Sequence, residues 1–136
     1  MMSSGAGITK REDKRRRREI ADELRSLGVR SFSVNDDMTV TVTGDVDISR
    51  RGLSSLPPNV RFQRIRGSFD ASENKFSNMR GFPTIIDGNL FVHKNNLTSL
   101  DGCPLEVRGK FFCHANPRRF MADEVMRKCE VDYVYV

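Results

Sequence analysis

Apolar and polar residues alternate in four short stretches of the chain, each centred on a glycine. With Gly44, Gly67, Gly88 and Gly109 in register, at spacings of 23, 21 and 21, the surrounding positions also fall into register. Two residues before each glycine stands Val42, Ile65, Ile86 or Val107, and two after stands Val46, Phe69, Leu90 or Phe111. Four after stands Ile48, Ala71, Val92 or Cys113. Period-two alternation of this kind predicts a half-buried strand, here once per repeat. Seven after the glycine comes Arg51, Asn74, Asn95 or Asn116; nine after, Leu53, Phe76, Leu97 or Arg118; twelve after, Leu56, Met79 or Leu100. Turns close the coils at Pro57-Pro58, Gly81-Phe82-Pro83 and Gly102-Cys103-Pro104.

A coil of this length cannot bury its own apolar face, so the coils are expected to stack with strands ~4.8 Å apart. The predicted fold class is an α/β repeat, a short leucine-rich-repeat-like solenoid of about four coils of 21–23 residues built on one parallel sheet. The glycines are expected at inward positions where a side chain would crowd the next coil. The asparagines are expected to turn inward and satisfy backbone groups left unpaired by the bending chain.

Four organisational units follow. Residues 1–9 read as a flexible leader, 10–30 as a basic arm and capping helix, 31–119 as the repeat solenoid, and 120–136 as a C-terminal cap. In the second unit only Ile20, Leu24 and Leu27 form an apolar face, ending at Gly28. Residues 10–19 have no apolar member, which leaves a solvated helix or a disordered segment. In the last unit Met121, Val125, Cys129 and Met126 predict a short helical stripe, and Val131, Tyr133 and Tyr135 a closing strand.

The net charge of +5 changes this picture in one place. Residues 1–30 carry nine basic and five acidic side chains, while residues 31–136 carry fourteen and thirteen, so the excess belongs to the first segment. Three cysteines, odd in number, exclude a disulfide framework and point to a reducing compartment. No apolar run approaches the ~18 residues of a membrane span. Neither a membrane partner nor a cofactor is expected, and nothing specifies an oligomeric state.

The stretch GNLFVHKNNLTSLDGCPLEVRG, preceded by VNDDMTVTVTGDVDISRRGLSSLP, resembles the short leucine-rich-repeat-like proteins encoded by tailed bacteriophages. Their coils run N-x-L-x-x-L-x-G-x-P-x-x-V-x-G-x-F. The resemblance covers residues 31–136 and departs at Arg51, where the motif has Asn, at Asn78-Met79-Arg80, and in the basic arm. It implies the solenoid shape and a viral protein in the cytoplasm of an infected bacterial cell; repeats of this kind point to binding rather than chemistry, and the expected partner is a host or phage protein held on the outward sheet face.

Two candidate surfaces emerge. Three residues after the glycine lie Asp47, Asp70, Phe91 and Phe112, and five after lie Ser49, Ser72, His93 and His114. Equal positions on successive coils are neighbours, so the outward face turns from acidic to aromatic. An exposed Phe91/Phe112 pair beside His93 and His114, bordered by Lys94, Arg108 and Lys110, suggests a protein-binding site. The alternative is a stacked ladder that only stiffens the sheet. The second surface is Lys10, Arg11, Lys14, Arg15, Arg16, Arg17 and Arg18, suited to the phosphates of RNA or DNA, to the ribosome, or to an acidic protein. The arm lacks aromatic residues to stack bases. A third reading is a structural component of the virion.

Catalytic and metal roles are not expected. The two histidines have no Cys or carboxylate placed to complete a tetrahedral set. Asp45, Asp47 and Asp70 lie on an open face without a pocket to tune them. Cys103 and Cys113 read as core fillers.

Overall fold

The computed structural model describes residues 7–136; of the leader, residues 1–6 lie outside the described residues. The chain forms a β-solenoid of about four turns, rich in parallel pairing, between an N-terminal helix and a C-terminal helix and strand.

Helix α1 (Lys10–Ser26) begins where Thr9 Oγ1 accepts a hydrogen bond from the Glu12 N–H at 3.0 Å. It ends at Gly28, whose φ of +84° lets the chain turn out of the helix. Ile20, Leu24 and Leu27 are buried against the first coil. The segment without apolar residues is helical as well, held by a polar contact. Arg17, hydrogen-bonded to Asp13 at 3.0 Å, donates to the carbonyls of Val34 (2.9 Å) and Asn35 (3.3 Å).

The single strand expected per coil is in fact two, set on either side of a corner at the glycine. β1 (Phe32–Val34) pairs antiparallel with β2 (Val40–Val42). The chain then runs through β3 (Val46–Asp47), β4 (Phe62–Ile65), β5 (Phe69–Asp70), β6 (Ile85–Ile86), β7 (Leu90–Phe91), β8 (Glu106–Val107) and β9 (Lys110–Phe112). Helix α2 (Ala122–Lys128) and β10 (Tyr133–Tyr135) follow. One sheet has the order β1-β2-β4-β6-β8 and the other β10-β9-β7-β5-β3. Alternation survives the corner because inward residues on both sides point to the same core, so a bent strand and a straight one read alike.

That core holds the aligned apolar positions. Val42, Ile65, Ile86 and Val107 are buried from one sheet, and Val46, Phe69, Leu90 and Phe111 from the other. Phe62, Phe69, Phe82 and Phe76 meet edge to face in a chain, with successive ring centroids 5.7, 5.4 and 5.2 Å apart.

Two polar ladders tie the coils together. Asn74 Oδ1 accepts from the N–H groups of Arg51 and Leu53, both at 3.0 Å, while its Nδ2 donates to the Ile48 carbonyl at 2.9 Å. Asn95 and Asn116 repeat this one and two coils on. At the corner, Asp45, Ser68 and Asn89 each accept the N–H of the equivalent residue in the following coil, at 2.8 to 2.9 Å. These three therefore serve the stack, although the pattern places them on the outward grid.

Arg51 stands at the asparagine position of the first coil, where no earlier coil exists to be bridged. Its guanidinium donates instead to the Leu27 carbonyl at 2.7 Å and the Asp47 carbonyl at 3.1 Å, joining the end of α1 to the solenoid. The departure from the repeat is thus a capping contact.

At the other end Val125, Cys129 and Phe120 are buried. Met121 and Met126 are not part of that stripe, being exposed on the outside of the helix. Tyr133 and Tyr135 also face outward, because β10 pairs in parallel with β9 as one more rung, with Val134 opposite Phe111.

Candidate functional site

The face of the second sheet is a column of paired residues: Asp47 beside Asp70, Asp70 beside Phe91, Phe91 beside Phe112 and Phe112 beside Tyr135. Its character changes halfway. In the first two coils each aspartate closes a small turn, Asp47 accepting from the Ser49 hydroxyl and N–H at 2.6 and 3.0 Å, and Asp70 from those of Ser72 at the same distances. The Ser49 hydroxyl holds the Asp47 carboxyl below the usual carboxylate range.

In the next two coils the same positions carry rings. Phe91 and Phe112 stack with centroids 4.9 Å apart and planes 7° from parallel. Beside them His93 and His114 stack at 4.7 Å and 4°. Tyr135 extends the phenylalanine row at 5.6 Å and lies 5.2 Å from His114. The phenylalanines and histidines are half-buried rather than exposed, since stacking covers their faces. Tyr133 and Tyr135 remain about half exposed, at 48% and 49%. The sequence pattern assigns Tyr135 to the cap and so misses it as a ladder member; the signal is the match of Tyr-Val-Tyr at 133–135 to Lys-Phe-Phe at 110–112.

The structure sorts the expected flanking cations. Lys110 lies on this face, with Nζ 5.1 Å from the centre of the Tyr133 ring. Lys94 follows His93 at the next corner with φ +56°, as Arg50, Glu73 and Ala115 do in the other coils. Arg108 is drawn to the other sheet, 3.0 Å from Glu106 and 3.7 Å from Asp87. Asp87 also receives Arg64 at 2.9 Å.

Nδ1 of His93 and of His114 is buried without a hydrogen-bond partner. Burial, followed by the neighbouring His114, pushes the His93 pKa below its ordinary value. As pH falls through the ordinary histidine range near 6.5, the unfolded chain therefore takes up this proton before the folded one. The contribution to stability is complete at neutral pH and above, and is lost on acidification from about 6.5 toward the folded-state value. Wild type is expected to lose more melting temperature between pH 7.5 and pH 5 than His93→Phe; superimposable pH profiles would remove the histidine from the account. Asp47 and Glu73, whose pKa values are also lowered, act at more acidic pH and leave this window to the imidazole.

The seven basic positions of the candidate arm, Lys10 to Arg18, separate on α1. Arg17 is committed to the solenoid, and Arg15 lies 3.7 Å from Glu19 on the exposed helix surface. Lys10, Arg11, Lys14, Arg16 and Arg18 are exposed and have no ion pair among the described residues. Of the cysteines, burial pushes Cys113 up to about 11 and Cys129 up to about 12, and raises Cys103 as well. The thiols are protonated at neutral pH. No helix among the described residues is long and apolar enough to cross a membrane.

The architecture defines a short capped β-solenoid. No protein-family model, no characterised relative and no solved structure matches the chain.

Proposed function

We propose that this protein is a non-enzymatic recognition module that binds another protein through the ladder of Phe91, Phe112, His93, His114 and Tyr135. On the resemblance of its coils, it is a leucine-rich-repeat-like phage protein, and its partner is a host or phage protein in the infected cell. One observation carries the reading: rigid aromatic groups gather on one open face and are bordered by Lys110 and Lys94. Pre-ordered rings with polar tips lose little freedom on binding, which makes such groups effective anchors.

The test is affinity capture from infected cells with wild type, Phe91→Ser/Phe112→Ser, and a variant with Lys10, Arg11, Lys14, Arg15 and Arg18 changed to Gln. The expected result is a discrete protein retained by wild type and by the arm variant, insensitive to nuclease, and lost with the ladder variant. Capture that disappears with nuclease or with the arm variant overturns it.

That second outcome would favour nucleic acid as the ligand of α1, and one feature speaks for that reading. Arg17 and the Ile20/Leu24/Leu27 face dock the helix, so its remaining cations form a fixed ridge. Phosphate contacts of this kind give strongly salt-dependent binding.

A further inference from the structure

Resting on the recognition reading above, we infer that the ladder takes an acidic, extended segment of its protein partner, whose carboxylates lie along the outer edges of the rings. Only part of each ring is free to meet a partner. Phe91 against Phe112, and His93 against His114, are nearly parallel and in contact, so the π faces turned toward each other are covered, and Tyr135 lies over the far side of Phe112. What reaches solvent is the ring edge, the positive part of an aromatic quadrupole, which attracts oxygen. Single-stranded nucleic acid binds aromatic platforms by stacking bases on open faces. The interior of this ladder offers none, which favours a protein over a nucleic acid.

The histidines add directed donors. A buried N–H without an acceptor is rarer than a buried lone pair, and both Nδ1 atoms are buried and unpartnered, so the tautomer that fits either ring in its neutral form has the proton on Nε2. The lowered pKa of His93 agrees with a neutral ring. Neighbouring Nε2–H donors then sit on stacked rings 4.7 Å apart.

Charge completes the match. Of the nearby carboxylates, Glu73 is paired with Arg50 at 2.9 Å, while Asp70, hydrogen-bonded to Ser72, keeps its charge and bounds the row on the side of the second coil. Lys94 has no ion pair among the described residues, and Lys110 is held over Tyr133. The aromatic half of the face is therefore a row of donors and positive edges without an acid of its own. A row spread over three rungs and open to water suits a chain of carboxylates better than one small anion.

The experiment titrates full-length protein with a fluorescent twelve-residue peptide alternating Glu and Thr, and with its Gln-Thr counterpart. The Glu peptide is expected to bind at least tenfold tighter and to perturb the imidazole NMR signals of His93 and His114. Lys94→Asn with Lys110→Gln should weaken it about tenfold, Asn being chosen because it tolerates the left-handed backbone at 94. His93→Phe with His114→Phe, which keeps the stacked rings and removes the donors, should weaken it at least fivefold, while neutralising Lys10, Arg11, Lys14, Arg15 and Arg18 should leave it unchanged. Equal binding of the two peptides, no binding of either, loss of binding only in the arm variant, or self-association that saturates the face overturns the inference. If captured protein depends on the ladder but the Glu peptide does not bind, recognition stands and the acidic partner falls; if both fail, the recognition reading falls with it.

Discussion

Asn95→Leu is expected to destabilise the whole solenoid by about 3–5 kcal/mol, a large part of the ~5–15 kcal/mol that holds an ordinary domain together. The side chain is buried between two coils. Its Nδ2 donates to the carbonyls of Ala71, Val92 and His93 at 3.0, 3.1 and 3.3 Å, and its Oδ1 accepts from the Phe76 N–H at 3.0 Å. Leucine matches the volume but leaves these backbone groups without a partner and shielded from water, at about 1–3 kcal/mol for each that stays unsatisfied. Because coils in a solenoid are held by their neighbours, the defect weakens both sides of the array at once. Asn116→Leu should cost less, since that side chain is half-buried and water can reach part of its site. Asn96→Ala, at an exposed position next door, should stay within about 0.5 kcal/mol of wild type. Urea unfolding of the three variants checks the order; an Asn95→Leu midpoint equal to that of Asn96→Ala would mean the ladder does not stabilise the stack.

The residues legible in the sequence are those whose environment repeats. Val42, Ile65, Ile86 and Val107 could be aligned because each meets its equivalent in the next coil, and the asparagines because each turn leaves the same groups unpaired. What escaped were the features that depend on the third dimension. Bending at the glycine splits each strand into two without altering the period-two pattern, so one sheet was expected where two exist. Arg51 looks like a lost asparagine until the end of α1 is seen above it. The candidate face was legible as a column, Phe91 over Phe112 and His93 over His114. Its extension to Tyr135 was not, because helix α2 interrupts the repeat before β10 rejoins it. Arg108 lies one position from the glycine, where the corner decides which sheet a side chain joins, and alternation cannot tell which.

The glycines offer a second large effect, and a contrast that tests why they are there. A Cβ on Gly88 would lie 2.8 Å from the carbonyl carbon of Gly67 and 2.9 Å from its oxygen. One on Gly109 would meet the same atoms of Gly88 at 2.7 and 2.6 Å. These are backbone atoms of the previous coil, which cannot rotate away, and the Gly88 and Gly109 N–H groups donate to those same carbonyls at 2.9 Å. Admitting a methyl group would force the rungs apart at the corner, and with them Phe69 from Leu90 in the core and Phe91 from its neighbours on the face. Gly88→Ala and Gly109→Ala are expected to cost about 2–3 kcal/mol, the range of overpacking a closely fitted site. Gly44 belongs to the first coil; a Cβ there would meet nothing within 4 Å, and its φ lies outside the left-handed range. Gly44→Ala should therefore be neutral or stabilise by up to about 1 kcal/mol, through the reduced freedom of the unfolded chain. Thermal and urea unfolding of the three single variants distinguishes two causes: a need for glycine flexibility at the corner would penalise all three alike, whereas contact between coils spares Gly44 alone.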